Sequence, residues 1–296
     1  MKKLRGMVLG AYIGDTLALG PHWIYDQESI KAQWEGDQGL IAPLTAYHKE
    51  KNKGDFTHYG DQALLLQKYL KDNSDIDEDK FYDMYSTFMK TYKGYKDVAT
   101  LNTLDYIKNS RNYNEKSHSN DLGGISGIFN IIYYHYPSLE KTLEQVILRT
   151  KLTHDHENLL VRCMFLVRWT YGILRGEVPS KVLYDLKENA PDLIKADIDK
   201  GESVLIYSAE VGLKILGQSC NSDEAFSGVI FLMLKYENDI KEALINNVYG
   251  GGDSAARGMI LGGLLGAYHG ENSLPVQWLM GMTSLKEIES LMDMHS

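Results

Sequence analysis

Apolar residues recur every three to four positions along most of this 296-residue chain, which is the spacing of one face of an α-helix. The pattern predicts helices over residues 4–19, 61–70, 80–92, 122–136, 138–152, 158–174, 203–216, 224–236 and 254–269. No segment shows the clear alternation of apolar and polar residues that marks a half-buried strand. We therefore predict an all-α fold with roughly ten or more helices.

The chain contains only 6 prolines, and none of them forms a run. There is no Ser/Gly-rich linker, low-complexity tract or block of like charge that would separate two folding units. The hydrophobic fraction of 44% is enough to build a sizeable core. We expect a single domain over residues 1–296.

Glycines spaced four residues apart form a stripe in the first and last predicted helices: Gly6, Gly10 and Gly14, then Gly258, Gly262 and Gly266. Residues at this spacing lie on one face of a helix, where the lack of a side chain lets another backbone approach closely. Each interior glycine costs about 0.5–1 kcal/mol relative to alanine, so a double stripe needs a structural reason. We expect these two helices to cross tightly at the centre of the domain.

The formal net charge is −9 and the pI about 5.5, which argues against nucleic acid as the main partner. An anionic ligand can still bind through backbone amides at helix N-termini. The longest apolar run near the C-terminus, residues 259–268, has about half the ~20 residues a membrane span needs. The basic N-terminus lacks a signal-peptide cleavage site. We expect a cytoplasmic protein with no membrane contact, whose two cysteines are reduced and buried. The oligomeric state stays open.

Two Gly-Asp turns that open helices carry the strongest chemical signal. Asp253 follows Gly250-Gly251-Gly252, and Asp61 ends the segment His58-Tyr59-Gly60-Asp61. Each aspartate taken alone fits an ordinary helix N-cap. Together, two carboxylates at two helix starts can share a hard cation such as Mg²⁺, which prefers oxygen ligands.

The end of the first predicted helix carries two further polar candidates. Asp15 lies in an otherwise apolar helix, where a charge needs a partner because burying it unpaired is costly. It either orients a neighbouring loop or is a satisfied structural residue. His22 follows in Gly20-Pro21-His22-Trp23 and has an intrinsic pKa suited to a general base.

Two polar segments are candidate ligand contacts. Ser117-His118-Ser119-Asn120 precedes a Gly-Gly pair and a predicted helix, an arrangement that can present amides to a phosphate or be an ordinary capped loop. Thr153-His154-Asp155-His156 precedes the long helix at 158–174. Because His-x-His at a helix start points the rings apart, zinc is disfavoured and His154 is expected to hydrogen-bond a ligand hydroxyl.

In this order on an all-α chain, these segments resemble the ADP-ribosylglycohydrolase family from about residue 6 to residue 270. The resemblance implies one compact orthogonal multi-helix domain with a two-magnesium centre. It implies cleavage of the glycosidic bond between ADP-ribose and a modified side chain or terminal group. By this resemblance Ser117, His118, Ser119 and Asn120 contact the diphosphate and His154 a ribose. The resemblance also implies that Asp61 and Asp253 hold Mg²⁺ and take part in catalysis. From the residues themselves, Ser254 can add a hydroxyl ligand to the metal, and His22 is a candidate catalytic base.

The chain also departs from the family pattern. The family has Thr-Asp-Asp where residues 59–61 retain only Asp61. It has a second Asp and a Thr where Ala255 and Ala256 follow Asp253. A glutamate that is catalytic in some relatives is missing near Pro21-His22-Trp23, and the next acid is Asp26.

Three interpretations therefore remain open. The first is an active hydrolase of ADP-ribosyl compounds with a reduced Mg²⁺ site. The second is a catalytically inactive ligand-binding or structural member, as in the eye-lens crystallins that resemble this family. The third is a hydrolase of another substrate that uses His22 with Asp15 or Asp26.

Overall fold

The computed structural model describes residues 1–34, 39–112 and 116–293, and within these ranges the chain forms sixteen α-helices and no β-strand. Helices α1 to α8 span Lys2–Ala18, Gln27–Trp34, His58–Asn73, Glu78–Thr91, Val98–Lys108, Ile128–His135, Leu139–Thr153 and Glu157–Leu174. Helices α9 to α16 span Pro179–Lys187, Asp192–Ser203, Ala209–Leu216, Ser222–Tyr236, Ile240–Tyr249, Ser254–His269, Val276–Gly281 and Leu285–Met292. Short 3-10 turns cover Ala46–His48, Leu122–Ile125 and Glu271–Ser273. The prediction of an all-α fold is confirmed.

Helices α1 and α14 pack against each other in antiparallel orientation along their glycine stripes. A Cβ added to Gly10 would lie 2.2 Å from the carbonyl oxygen of Gly262, and one added to Gly14 would lie 2.0 Å from that of Gly258. Any side chain at these positions would therefore collide with the opposing backbone. The tight crossing expected from the glycine spacing is confirmed, and it places the start of α14 beside the end of α1.

The α1–α14 pair lies at the centre of the molecule. Residues 6–18 of α1 and 254–267 of α14 are all buried, as expected for helices that are apolar on every face. Helices α12 and α8 pack against α14, and α6 packs against α1. The rest of the bundle surrounds this core, so both ends of the central pair are held rigidly.

Two predicted helices have different boundaries in the structure. The predicted 122–136 helix is divided at Gly127, whose φ of 84° is left-handed, and only the second part is α-helical. The predicted 203–216 helix begins later in the structure, because only α11, from Ala209 onward, forms it.

The sequence pattern missed several helices altogether: α2, α5, α9, α10, α13, α15 and α16. Each is short, with 6–12 residues, which leaves few turns in which a helical period can be recognised.

Both cysteines are free thiols, and Cys163 is buried as expected. The expectation is wrong for Cys220, which is only partly buried. Among the helices of the described ranges, none has the length and apolar character that crossing a bilayer requires.

Candidate functional site

The loop after α1 and the glycine turn before α14 bond to each other through their backbones. The amide of Trp23 donates to the carbonyl of Gly252 at 3.0 Å. The amide of Gly252 donates in turn to the carbonyl of Ile24 at 2.8 Å. Gly251 and Gly252 have φ values of 73° and 65°, a left-handed conformation that favours glycine. A Cβ on Gly252 would also lie 2.1 Å from the carbonyl oxygen of Gln218. Gly251 and Gly252 therefore serve close backbone approach at this junction.

Asp15 fixes the start of α3. Its buried carboxylate accepts hydrogen bonds from the amide of Thr57 at 2.8 Å and the hydroxyl of Thr57 at 2.5 Å. Burial raises the pKa of Asp15 to about 6, although the bonds from Thr57 oppose the shift. Thr57 in turn caps α3 by accepting from the amide of Tyr59. Asp15 is thus a satisfied buried acid that also orients a neighbouring segment, so the two interpretations of this residue both apply.

Tyr59 reaches from α3 to a pair of aspartates. Its hydroxyl donates to Oδ2 of Asp253 at 2.8 Å and lies 3.4 Å from Oδ1 of Asp121. Oδ1 of Asp253 also accepts from the amide of Ala256, so this residue caps α14 as its position suggested. Carboxylate oxygens of Asp121 and Asp253 and the Sγ of Cys220 all lie within 4.8 Å of one another. We call these three residues the acid cluster.

Burial and a neighbouring charge alter the titration of the acid cluster. The pKa of Asp121 is raised, first by burial and then by the negative charge of Asp253. Burial followed by the charge of Asp121 raises the pKa of the Cys220 thiol. The arrangement therefore favours a protonated Asp121 and a neutral thiol on Cys220.

A cleft of about 350 Å³ opens above the acid cluster. Its lining consists of Trp23, Tyr95, Asp97, Val98, Ala99, Ser119, Asn120, Asp121, Cys220 and Asn221. The rings of Trp23 and Tyr95 meet edge to face with centroids 4.8 Å apart and form an aromatic wall. An aromatic wall above two carboxylates suits a sugar or a nucleoside better than a purely apolar ligand.

Asp61 points to a different hollow. Its carboxylate pairs with the ammonium of Lys51 and accepts a hydrogen bond from the hydroxyl of Tyr92 at 2.6 Å. It shares no hydrogen-bond partner with Asp253 and belongs to neither group of metal-ligating side chains found among the described residues. Tyr59, two residues earlier, is the side chain of this turn that reaches Asp253.

The surroundings of Asp253 do not fit a magnesium pair. Ser254 is buried with its hydroxyl unpartnered, while Ala255 and Ala256 supply only methyl groups. The other groups near Asp253 are the Tyr59 hydroxyl, the His22 ring, the Asp121 carboxyl and the Cys220 thiol. Because Mg²⁺ requires about six oxygen ligands in octahedral geometry, we derive no step through it.

The 117–120 loop is joined to the start of α12. The side chain of Asn120 donates to Asn221 at 3.1 Å and accepts from the hydroxyl of Ser222 at 2.6 Å. The hydroxyl of Ser119 accepts from the amide of Asp121. Ser119 and Asn120 line the cleft and hold Asp121 in place.

Ser117, His118 and His154 lie behind this loop. The carbonyl of Ser117 accepts from the amide of Asp155, and Nδ1 of His118 lies 2.9 Å from the carbonyl oxygen of Asp155. His154 is buried beneath Gly124, with Nδ1 2.9 Å from the hydroxyl of Thr153. Burial lowers the pKa of His154 to about 4, so this ring is neutral. None of the three lines the cleft.

His22 is fully buried, with Nδ1 4.0 Å from Oδ1 of Asp253. The acids that the sequence suggested as its partners are engaged elsewhere, since Asp15 binds Thr57 and Asp26 binds Ser29. Burial, reinforced by two neighbouring histidines, lowers the pKa of His22 well below its usual value. The acid beside His22 is therefore Asp253.

Those neighbours are His48 and His58, and the sequence interpretation used neither. One ring nitrogen from each of the three histidines lies within 4.8 Å of the others. We call His22, His48 and His58 the histidine cluster. Nε2 of His58 lies 3.4 Å from Oδ2 of Asp97. Burial alone would raise the pKa of Asp97, but the contact with His58 outweighs burial and lowers that pKa.

Sequence reasoning had partial access to these missed residues. His58 and Tyr59 stand within the quoted Gly-Asp segment, directly after the capping Thr57, and Asp121 follows Asn120. His48 and Asp97 stand in polar stretches with no motif around them. Only the fold brings them to the site.

Comparisons with known proteins agree with this architecture. The family model of the ADP-ribosylglycohydrolases matches residues 1–295. Crystallin J1A of Tripedalia cystophora is 20% identical, with 97% of this chain and 94% of the relative covered. The putative ADP-ribosyl glycohydrolase L543 of Acanthamoeba polyphaga mimivirus is 26% identical over 97% of this chain and 92% of its own.

A solved structure described as an ADP-ribosylglycohydrolase-related protein complex has the same fold. The two chains superpose with a TM-score of 0.79 at 17% identity, covering 98% of this chain and 95% of the other. The match of the family model over almost the whole length settles membership: this chain belongs to the ADP-ribosylglycohydrolase family.

Proposed function

We propose that this protein hydrolyses the glycosidic bond between ribose and its substituent in an ADP-ribosyl compound, using the cleft above the acid cluster. The observation that carries the proposal is the close pair of carboxylates, Asp121, which lines that cleft, and Asp253, which is buried next to it, joined through the hydroxyl of Tyr59. Membership of the family supports the choice of substrate class.

Hydrolysis of a glycosidic bond generally uses two carboxyl groups with different protonation states. Asp121, whose pKa is raised by burial and by its neighbour, is the proton donor to the leaving group. Asp253 receives hydrogen bonds from Tyr59 and from the first turn of α14. These bonds orient its carboxylate, which directs a water molecule to the sugar or stabilises the positive charge developing on it.

The remaining cleft residues position the ligand in this proposal. Trp23 and Tyr95 offer aromatic faces to the sugar or the adenine. We assign ligand contact to Ser119 and Asn120, which line the cleft. Ser117, His118 and His154 support the loop from behind. Asp61, Ser254 and Mg²⁺ have no step in the reaction as we propose it.

Product release from a panel of N-linked and O-linked ADP-ribosyl compounds tests this function. We expect the wild-type protein to release ADP-ribose and the Asp253→Asn variant, which keeps an N-cap side chain, to lose this activity. Asp26→Asn is the matched control, because Asp26 is an exposed acid in the loop between α1 and α2 that is bonded to Ser29. Folded wild-type protein that releases no ADP-ribose from any substrate would contradict the proposal.

A non-catalytic role is the second candidate. It is favoured by Ala255 and Ala256, which stand where the family places oxygen ligands, and by the similarity to Crystallin J1A. A thermal-shift titration separates the two candidates because a ligand stabilises the folded state by occupancy alone. Stabilisation by ADP-ribose without turnover would favour a binding role, and neither effect would favour a structural one.

A further inference from the structure

We propose that His22, His48 and His58 form a binding site for one divalent transition-metal ion of the zinc type. The site goes beyond the proposed hydrolysis and does not depend on it. Its ligands come from three separate segments: the loop after α1, the 3-10 turn Ala46–His48 and the first residue of α3. All three side chains are buried, with exposed fractions of 0%, 1% and 0%.

The first argument is the lack of hydrogen bonds inside the histidine cluster. Both ring nitrogens of His22, both of His48 and Nδ1 of His58 are buried and have no hydrogen-bond partner among the described residues. Buried polar side-chain atoms are nearly always paired, and unpaired ones call for an explanation such as an ion. Three imidazoles that meet in this way supply the lone pairs that a metal ion would accept.

The second argument is distance. One nitrogen of each ring lies within 4.8 Å of the other two. Tetrahedral zinc–nitrogen bonds of 2.0–2.1 Å place ligand nitrogens about 3.3–3.4 Å apart. The ring centroids are separated by 5.3, 5.7 and 6.3 Å. Small rotations of the side chains are therefore enough to bring three nitrogens onto one ion.

The third argument comes from the carboxylates around the cluster. Histidines that bind metals usually place their second ring nitrogen against a carboxylate or carbonyl, which fixes the orientation of the ring. Asp97 lies 3.4 Å from Nε2 of His58, and Asp253 lies 4.0 Å from Nδ1 of His22. In His58 this leaves Nδ1 to bind the ion. The 4.0 Å separation between His22 and Asp253 is longer than a hydrogen bond, so both nitrogens of His22 remain available.

The ligand chemistry selects the class of ion. Three imidazole nitrogens suit Zn²⁺, Co²⁺ or Ni²⁺, whereas Mg²⁺ prefers oxygen. The acid cluster is the competing site, but its Asp253 already accepts hydrogen bonds from Tyr59 and Ala256. A metal on the histidine cluster would tie together three segments beneath Trp23, whose ring stacks on His22 at 4.4 Å.

Calorimetric titration of the chelator-treated full-length protein with Zn²⁺, Co²⁺ and Mg²⁺ tests the site. We expect about one equivalent of Zn²⁺ or Co²⁺ to bind with tetrahedral cobalt absorption, and Mg²⁺ not to bind there. His48→Gln should abolish this binding. His118→Gln, an exposed histidine bonded to the Asp155 backbone, should leave it unchanged.

Two further variants separate the histidine cluster from its surroundings. Asp97→Asn, which retains a capping side chain for α5, should weaken binding roughly 10- to 100-fold. Cys220→Ser should leave the affinity unchanged. A sulfur-to-cobalt charge-transfer band, or loss of binding in Cys220→Ser, would place the ion on the acid cluster and overturn the proposal.

If His48→Gln does not fold, NMR of the histidine ring nitrogens in the wild-type protein shows whether the histidine cluster binds the ion. Addition of Zn²⁺ should shift the ring resonances of three histidines in a fixed ratio to the metal added. Absence of Zn²⁺ and Co²⁺ binding, or shifts confined to other histidines, would contradict the proposed site.

Discussion

The hydroxyl of Tyr59 lies 2.8 Å from Oδ2 of Asp253, which connects the first turn of α3 to the residue that caps α14. The two residues are 194 positions apart in the sequence. The same hydroxyl lies 3.4 Å from Asp121. One tyrosine thereby sets the spacing of both carboxylates beneath the cleft.

Replacing Tyr59 with phenylalanine should destabilise the protein and impair the site. The change removes the hydroxyl that donates to Asp253, and a buried hydrogen bond to a charged group contributes about 1.5–3 kcal/mol. We expect the free energy of unfolding in urea to fall by about 2 kcal/mol. Tyr47→Phe is the control, because Tyr47 is 53% exposed. Equal losses in the two variants would contradict the role given to Tyr59.

Alanine at Gly10 should be far more damaging than alanine at most helical glycines. Its Cβ would lie 2.2 Å from the carbonyl oxygen of Gly262, so α1 and α14 would have to separate. We expect a loss of about 3 kcal/mol in unfolding free energy. Gly281→Ala is the matched control, since its Cβ would meet mainly the flexible end of Leu40. If Gly10→Ala lost less unfolding free energy than Gly281→Ala, the contact between α1 and α14 would be looser than described.

The same central pair shows what could be predicted from the sequence. The glycine stripes predicted the contact between α1 and α14, and the apolar periodicity predicted the long helices. Asp253 was identified because a Gly-Gly-Asp turn is a local pattern. His48 and Asp97 were not, because their roles depend on the folding of loops that local pattern does not describe.

The partner of Asp253 could not be predicted from local sequence pattern either. The choice between Tyr59 and Asp61 depends on which side of α3 faces α14. That orientation is set by the bonds from Thr57 to the buried Asp15. A one-dimensional motif places both residues in the same turn and cannot separate them.

His154 should make stability depend on pH in the acid range. Burial lowers its pKa in the folded state to about 4, below the usual value of about 6.5 expected when unfolded. The unfolded chain therefore binds more protons between these values, and the stability from neutral His154 is lost as pH falls. Because of this residue, the free energy of unfolding should fall by about 2 kcal/mol as the pH is lowered from 6.5 to 4.5.

Urea denaturation of wild type and His154→Gln at both pH values measures that contribution. The gap in unfolding free energy between the two proteins should shift by this amount in favour of the variant at the lower pH. A gap that does not change with pH would mean that His154 titrates normally in the folded protein.

The rate of ADP-ribose release by wild type and Asp121→Asn, measured across pH on one ADP-ribosyl substrate, tests the central claim most directly. A proton donor contributes roughly 10²–10⁴-fold to such a reaction. We predict a loss in that range for Asp121→Asn, and a wild-type rate that falls as pH rises and Asp121 loses its proton. Equal rates for the two folded proteins, or no release by the wild type, would contradict the account.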